Sequence, residues 1–80
     1  MRIISQNGAI DVPYEHTTLI REGTEIYLSS IKLRDTLIAK YSTEEKAVKA
    51  MEMCRRYYDN RSSVTEPKIF QFPVDKEVRV

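Results

Sequence analysis

Apolar and polar residues alternate in short runs through the first half of the chain, and in one later stretch the apolar positions recur every three or four residues. Residues 2–5 form a short strand-like run. Asn7-Gly8 follows, a pair that tolerates the positive φ of a type I′ hairpin turn. Residues 9–12 read as the returning strand, which ends or lies at an edge at Pro13 because proline cannot donate a ladder hydrogen bond. Residues 17–21 are rich in β-branched side chains and read as a strand. Glu22-Gly23 is the turn to its partner, residues 24–29, with Ile26 and Leu28 on one side and Glu25 and Tyr27 on the other. Residues 30–35 are charged and read as a connection. Residues 36–41 are a further strand, with Leu37 and Ala39 on one face and Ile38 on the other.

The period then changes. Ser42-Thr43-Glu44-Glu45 has the form of a capping box, in which Ser42 accepts from the Glu45 backbone N–H and the Glu45 side chain reaches back. The two glutamates also suit the positive end of a helix dipole. The helix is predicted over residues 43–59. Ala47, Ala50, Met51, Cys54, Tyr57 and Tyr58 form its apolar face, Glu45, Lys49, Glu52 and Arg56 lie opposite, and Val48 and Met53 fall off the stripe. Asn60 suits a left-handed stop. Residues 61–67 read as a loop. Residues 68–72 are a last strand with Ile69 and Gln71 on one face and Lys68, Phe70 and Phe72 on the other. The expectation is an α+β fold of one domain, residues 1–80, in which a small antiparallel β-sheet carries one long helix on one face. Residues 73–80 are expected to fray.

Composition narrows the function. Eighty residues with 13 basic and 12 acidic side chains leave a net charge of +1. A duplex-binding protein ordinarily carries a large basic excess, so duplex DNA is not an expected partner. The apolar runs are too short for a transmembrane helix, and the first residues lack the apolar middle of a signal peptide, so a cytoplasmic location is expected. One cysteine and one histidine exclude an internal disulfide and any site needing two of either. A domain this small buries only about 60% of its unfolded surface, and self-association is one way to bury more.

No pattern points to catalysis. His16 has no visible partner and reads as solvated or structural. Cys54 falls on the apolar helix face and reads as a buried thiol. No phosphate loop, nucleophile elbow or metal-ligand spacing occurs, so the chain is expected to be neither an enzyme nor a metal or cofactor protein. Anion binding has more material. Arg21, Arg34, Arg55, Arg56, Arg61 and Lys68 are candidate phosphate contacts, arginine because its planar fork matches phosphate oxygens. Arg55, Arg56 and Arg61 equally serve the negative end of the helix dipole. Tyr27, Tyr57, Tyr58, Phe70 and Phe72 could stack on a base, or could simply be the core and its rim. From these the candidate ligand site comprises Arg21, Tyr27, Arg34, Arg55, Arg56, Tyr57, Lys68 and Phe70.

Three segments together carry a resemblance: residues 1–14 (MRIISQNGAIDVPY), residues 41–53 (YSTEEKAVKAMEM) and residues 70–73 (FQFP). The combination resembles small proteins from phages and mobile elements of Gram-positive bacteria, and is similar to the first type of phage anti-Thoeris protein. The resemblance implies an immune-evasion sponge of the infected bacterial cell. Such a protein binds the cyclic ADP-ribose isomer made by the TIR-domain sensor and does not cleave it. Some members also hold cyclic oligonucleotides. It further implies homo-oligomers built from dimers, with pockets where protomers meet. The chain departs from its longer relatives in length, with only residues 60–69 between the helix and FQFP, so no binding residue is carried over from the family. The rival expectation is a protein that directly inhibits a host defence nuclease, such as a CRISPR effector.

Overall fold

A computed structural model describes residues 1–30, 34–59 and 68–80. The order is β1 (Arg2–Ile4), β2 (Asp11–Pro13), a 3-10 turn (Tyr14–His16), β3 (Thr18–Glu22), β4 (Glu25–Ser29), β5 (Thr36–Lys40), α1 (Glu44–Asp59), β6 (Ile69–Gln71) and a second 3-10 turn (Asp75–Glu77). The class is α+β, with one helix packed on small, mainly antiparallel sheets. The strands divide between two three-stranded sheets, ordered β2-β1-β6 and β3-β4-β5. One pair is parallel: β6 lies along β1, because the hairpin to β2 has taken the other β1 edge. That register sets Phe70 beside Ile3, so both side chains enter the core, with Ile3 fully buried and Phe70 8% exposed.

Both hairpins are explained by their glycines. Gly23 has φ +60° at the first loop position of a two-residue turn between Glu22 and Glu25, as the primed hairpin turns require. The turn at Gly8 is wider than the two-residue form predicted. The Gly8 N–H donates to Ser5 O, the Ser5 N–H donates to Ile10 O, and Gly8 takes φ +78°. The Asn7 side chain stabilises this wider loop by accepting from the Ala9 N–H at 3.0 Å and from Ser5 Oγ at 2.7 Å. The return strand therefore starts at Asp11, and Pro13 sits on an edge strand as expected.

The core lies between α1 and the sheets. Ala47, Ala50 and Cys54, spaced three and four apart, are all buried, and their small side chains let the helix lie close on β3 and β4. Ile26, Leu28, Phe72 and Val78 complete the centre. Burying a side chain such as Phe72 contributes about 1.5–3 kcal/mol.

Three expectations are corrected. The capping box does not form: Thr43 is the cap, its Oγ1 accepting from the Lys46 N–H at 3.2 Å, while Ser42 donates through N and Oγ to Asp75. The face pattern of β5 breaks, because Ile26 pairs with Ala39 and Tyr27 with Leu37, leaving Ile38 as an extra residue. Ile38 and Ala39 are consequently both buried and Leu37 is 45% exposed. The last residues do not fray: Val78 is buried and Asp75 ties the chain to Ser42 and Lys46. The expectations for Asn60, Arg61 and the loop 61–67 fall outside the described residues, as do residues 31–33 of the connection 30–35.

Candidate functional site

Pro13 stops the β2 edge and the chain turns at once into the 3-10 turn. The Thr17 N–H and Oγ1 close that turn on the Tyr14 carbonyl, at 3.2 and 3.0 Å, and the Tyr14 N–H donates to Met1 O at 2.8 Å. This clamps the Tyr14 ring against Tyr58 of α1, with centroids 4.7 Å apart and planes inclined by 41°. Between the turn, the start of β3 and the C-terminal half of α1 opens a cleft of about 450 Å³. Tyr14, Glu15, Thr17, Leu19, Met51, Cys54, Arg55 and Tyr58 line it. That volume lies in the range of small-molecule sites.

Arg55 is the exposed cation of this cleft, and among the described residues it forms no ion pair. The carboxylate at the rim, Glu15, is bound to the Met1 amino group at 2.9 Å, which offsets its charge. Burial, reinforced by Cys54 and Asp59, holds the Tyr14 phenol above its ordinary range and outweighs the opposing Arg55 charge. Tyr14 is therefore a neutral donor at physiological pH. Burial pushes the Cys54 thiol up to about 12, so it is no thiolate nucleophile. The cleft thus offers a guanidinium, two phenol rings and an apolar wall from Leu19 and Met51. These suit an anion joined to a flat group.

The sequence-derived residues do not converge on this one place. Tyr57, the residue before Tyr58, is turned about 100° around the helix and joins a different cluster. Its ring lies 5.7 Å from Phe70, Lys68 Nζ stands 5.0 Å over it, and Phe70 meets Phe72 edge-on at 5.2 Å. Phe70 is committed to the core, so Tyr57, 40% exposed, is the ring with a face toward solvent, and Lys68 covers it. Arg56 pairs with Glu52 at 3.1 Å, and Arg21 pairs with Glu44 at 2.8 Å and donates to Gly23 O. Tyr27 stands on the face of β3-β4-β5 away from the helix, its hydroxyl donating to Glu25 at 2.8 Å. Arg34 is exposed ahead of β5, its carbonyl accepting from Thr36 Oγ1.

Of the eight, Arg55 alone lines the tyrosine cleft, and Tyr14 was absent from the predicted set. Its place depends on the 3-10 turn and on a long-range contact with α1, neither of which leaves a periodic signal. A larger groove, about 570 Å³, runs between the first half of α1 and the last residues; Glu44, Glu45 and Glu52 line it together with Lys49 and Arg79, so it lacks the positive excess that favours an anion. Among the described residues no helix is long and apolar enough to cross a membrane, and no three His, Cys, Asp or Glu side chains are grouped to hold a metal. Comparison with family models, curated proteins and solved structures finds no match.

Proposed function

We propose that this protein binds and sequesters a nucleotide-derived signalling molecule without cleaving it, acting in the cytoplasm of an infected bacterium as an anti-Thoeris-type sponge. The preferred ligand is a cyclic ADP-ribose isomer, with cyclic oligonucleotides as the related class. The observation that carries the reading is the exposed Arg55 guanidinium, which forms no ion pair among the described residues, in a cleft walled by the Tyr14 and Tyr58 rings. The guanidinium would take a pyrophosphate oxygen pair, and the Tyr14–Tyr58 pair, whose centroids lie 4.7 Å apart, would give adenine one aromatic wall to stack on. The sequence resemblance supports the same ligand class and adds self-association of the chain. A sponge needs no general base or nucleophile, and two titratable groups of the cleft, the half-buried Tyr14 and the buried Cys54, are both held protonated.

The test is retention. The protein is incubated with cyclic ADP-ribose isomers and with cyclic oligonucleotides, freed of unbound ligand and heated, and the supernatant is analysed by mass spectrometry. Intact ligand is expected. An altered mass would make the protein an enzyme, and no ligand together with a stoichiometric host protein in a pull-down would make it a direct protein inhibitor. Arg55→Ala is expected to weaken retention roughly 10- to 100-fold, the loss of one charge-assisted contact. Because Arg55 is exposed and forms no ion pair among the described residues, thermal stability should change by less than about 0.5 kcal/mol.

A further inference from the structure

Among the described residues the two sheets have four outer edges, and three are short or partly obstructed. β2 carries Pro13, β6 has three residues, and the outer side of β5 is partly taken by Gln6, whose N–H donates to Ile38 O and whose side-chain oxygen accepts from the Lys40 N–H. β3 is different. It has five residues, contains no proline, and among the described residues pairs only with β4. Its one cation, Arg21, is drawn toward Glu44 rather than left to guard the edge.

The two-residue turn makes Glu22 and Glu25 a mutually hydrogen-bonded pair. Alternation along an antiparallel ladder then aims the Thr18, Ile20 and Glu22 backbone groups at β4 and those of Leu19 and Arg21 outward. Among the described residues no hydrogen bond outside the ladder engages the Leu19 or Arg21 backbone. On the face turned away from α1, Ile20, Tyr27 and Leu37 sit side by side across the three strands, with Ile20 38% and Leu37 45% exposed.

We propose that the free edge of β3 pairs antiparallel with the same edge of a second copy of this chain, about a twofold axis at Ile20. The outward backbone groups lie one residue either side of the axis, so Leu19 meets Arg21 of the other copy and all four open N–H and C=O pairs close at once. Thr18 then stands opposite Glu22 and Ile20 opposite Ile20, so no like charges face each other. A twofold centred on Arg21 would instead set two guanidiniums together. The pairing also joins two three-residue apolar rows into one band of six across a six-stranded sheet. A foreign strand would gain the same backbone bonds, but this self-complementary register favours a copy of the chain.

The interface rests on the self-association that the proposed function includes and gives it a place, but its tests read association rather than ligand, so failure of the interface and failure of ligand retention are distinguishable. Sedimentation equilibrium is expected to show a dimer or a multiple of it. Ile20→Lys, at a side chain exposed in the single chain, should give a folded monomer with an unchanged circular dichroism spectrum. Ile20→Cys should form a disulfide-linked dimer on mild oxidation, since directly opposed, non-hydrogen-bonded residues lie within disulfide reach, whereas Tyr27→Cys, off the axis, should not. A wild-type monomer throughout the micromolar range would overturn the proposal. So would an oligomer that survives Ile20→Lys, or an Ile20→Cys protein that stays uncrosslinked.

Discussion

Cys54 and Asp75 show how neighbourhood decides what a side chain does. Cys54 is packed among Ala47, Ala50 and the sheet residues, and burial pushes its thiol up to about 12. A raised thiol pKa stabilises the folded state below the unfolded value, and that contribution is lost as pH climbs from the ordinary thiol range toward 12. Iodoacetamide at pH 8 is therefore expected to leave Cys54 unmodified in the native protein and to label it fully in urea, as read by intact mass. Asp75 is shifted the other way. The Ser42 N–H bond at 2.6 Å, with Lys46 Nζ at 3.1 Å, holds its carboxyl below the ordinary range against an opposing push from burial. Here the unfolded chain binds the proton first, so the stabilisation is present above the unfolded carboxyl pKa and is lost as pH falls through the folded value. Asp75→Asn should lower the melting temperature at pH 7 and reduce its acid dependence below about pH 4, measured as Tm against pH for both proteins.

At the scale of the element, the start of α1 separates two ways of capping a helix. Thr43 Oγ1 satisfies the Lys46 N–H, whereas the Ser42 side chain adds one bond to Asp75 and leaves its stronger backbone bond intact. Thr43→Ala is expected to cost about 1 kcal/mol in urea unfolding, and Ser42→Ala less; a capping box would reverse that order. The helix itself was legible in the sequence, because its period and buried face depend on neighbours three and four residues away. So were the two hairpins and the inward faces of β4 and β6. The cap was not, because Asp75 competes for Ser42 from 33 positions along the chain. Nor was the bulge in β5, where a single extra residue, Ile38, puts two consecutive side chains into the core. The candidate site divides the same way: Arg55 is readable as a helix cation, but its partners Tyr14 and Leu19 reach it only through tertiary packing.

At the scale of the molecule, two small sheets behave as one body only if something joins them, and Gln6 does much of this. Its N–H donates to Ile38 O of β5 at 2.8 Å, its Oε1 accepts from the Lys40 N–H at 3.0 Å, and its Nε2 donates to Pro73 O at 3.1 Å. One residue thus ties the β1–β2 hairpin to β5 and to the segment after β6. Tyr41, whose hydroxyl also donates to Pro73 O at 2.7 Å, reinforces the same seam. Gln6→Ala keeps the backbone bond and strips both side-chain bonds, leaving a backbone N–H and part of a carbonyl to find water. It is expected to cost about 1–3 kcal/mol in urea unfolding, with faster hydrogen exchange at the Lys40 amide while amides of α1 keep their relative protection. Gln6→Glu distinguishes the two bonds. Its carboxylate can still accept from Lys40, but an oxygen then faces the Pro73 carbonyl, which disfavours the ionised form and raises the folded pKa. Such a group contributes stability below the unfolded pKa and loses it as pH rises through the folded one. The deficit of Gln6→Glu relative to the wild type should therefore shrink as pH falls from 7 to 4, when the protonated acid can donate to Pro73 O. A deficit that is flat across that range would mean that the Pro73 bond does not help hold the sheets together.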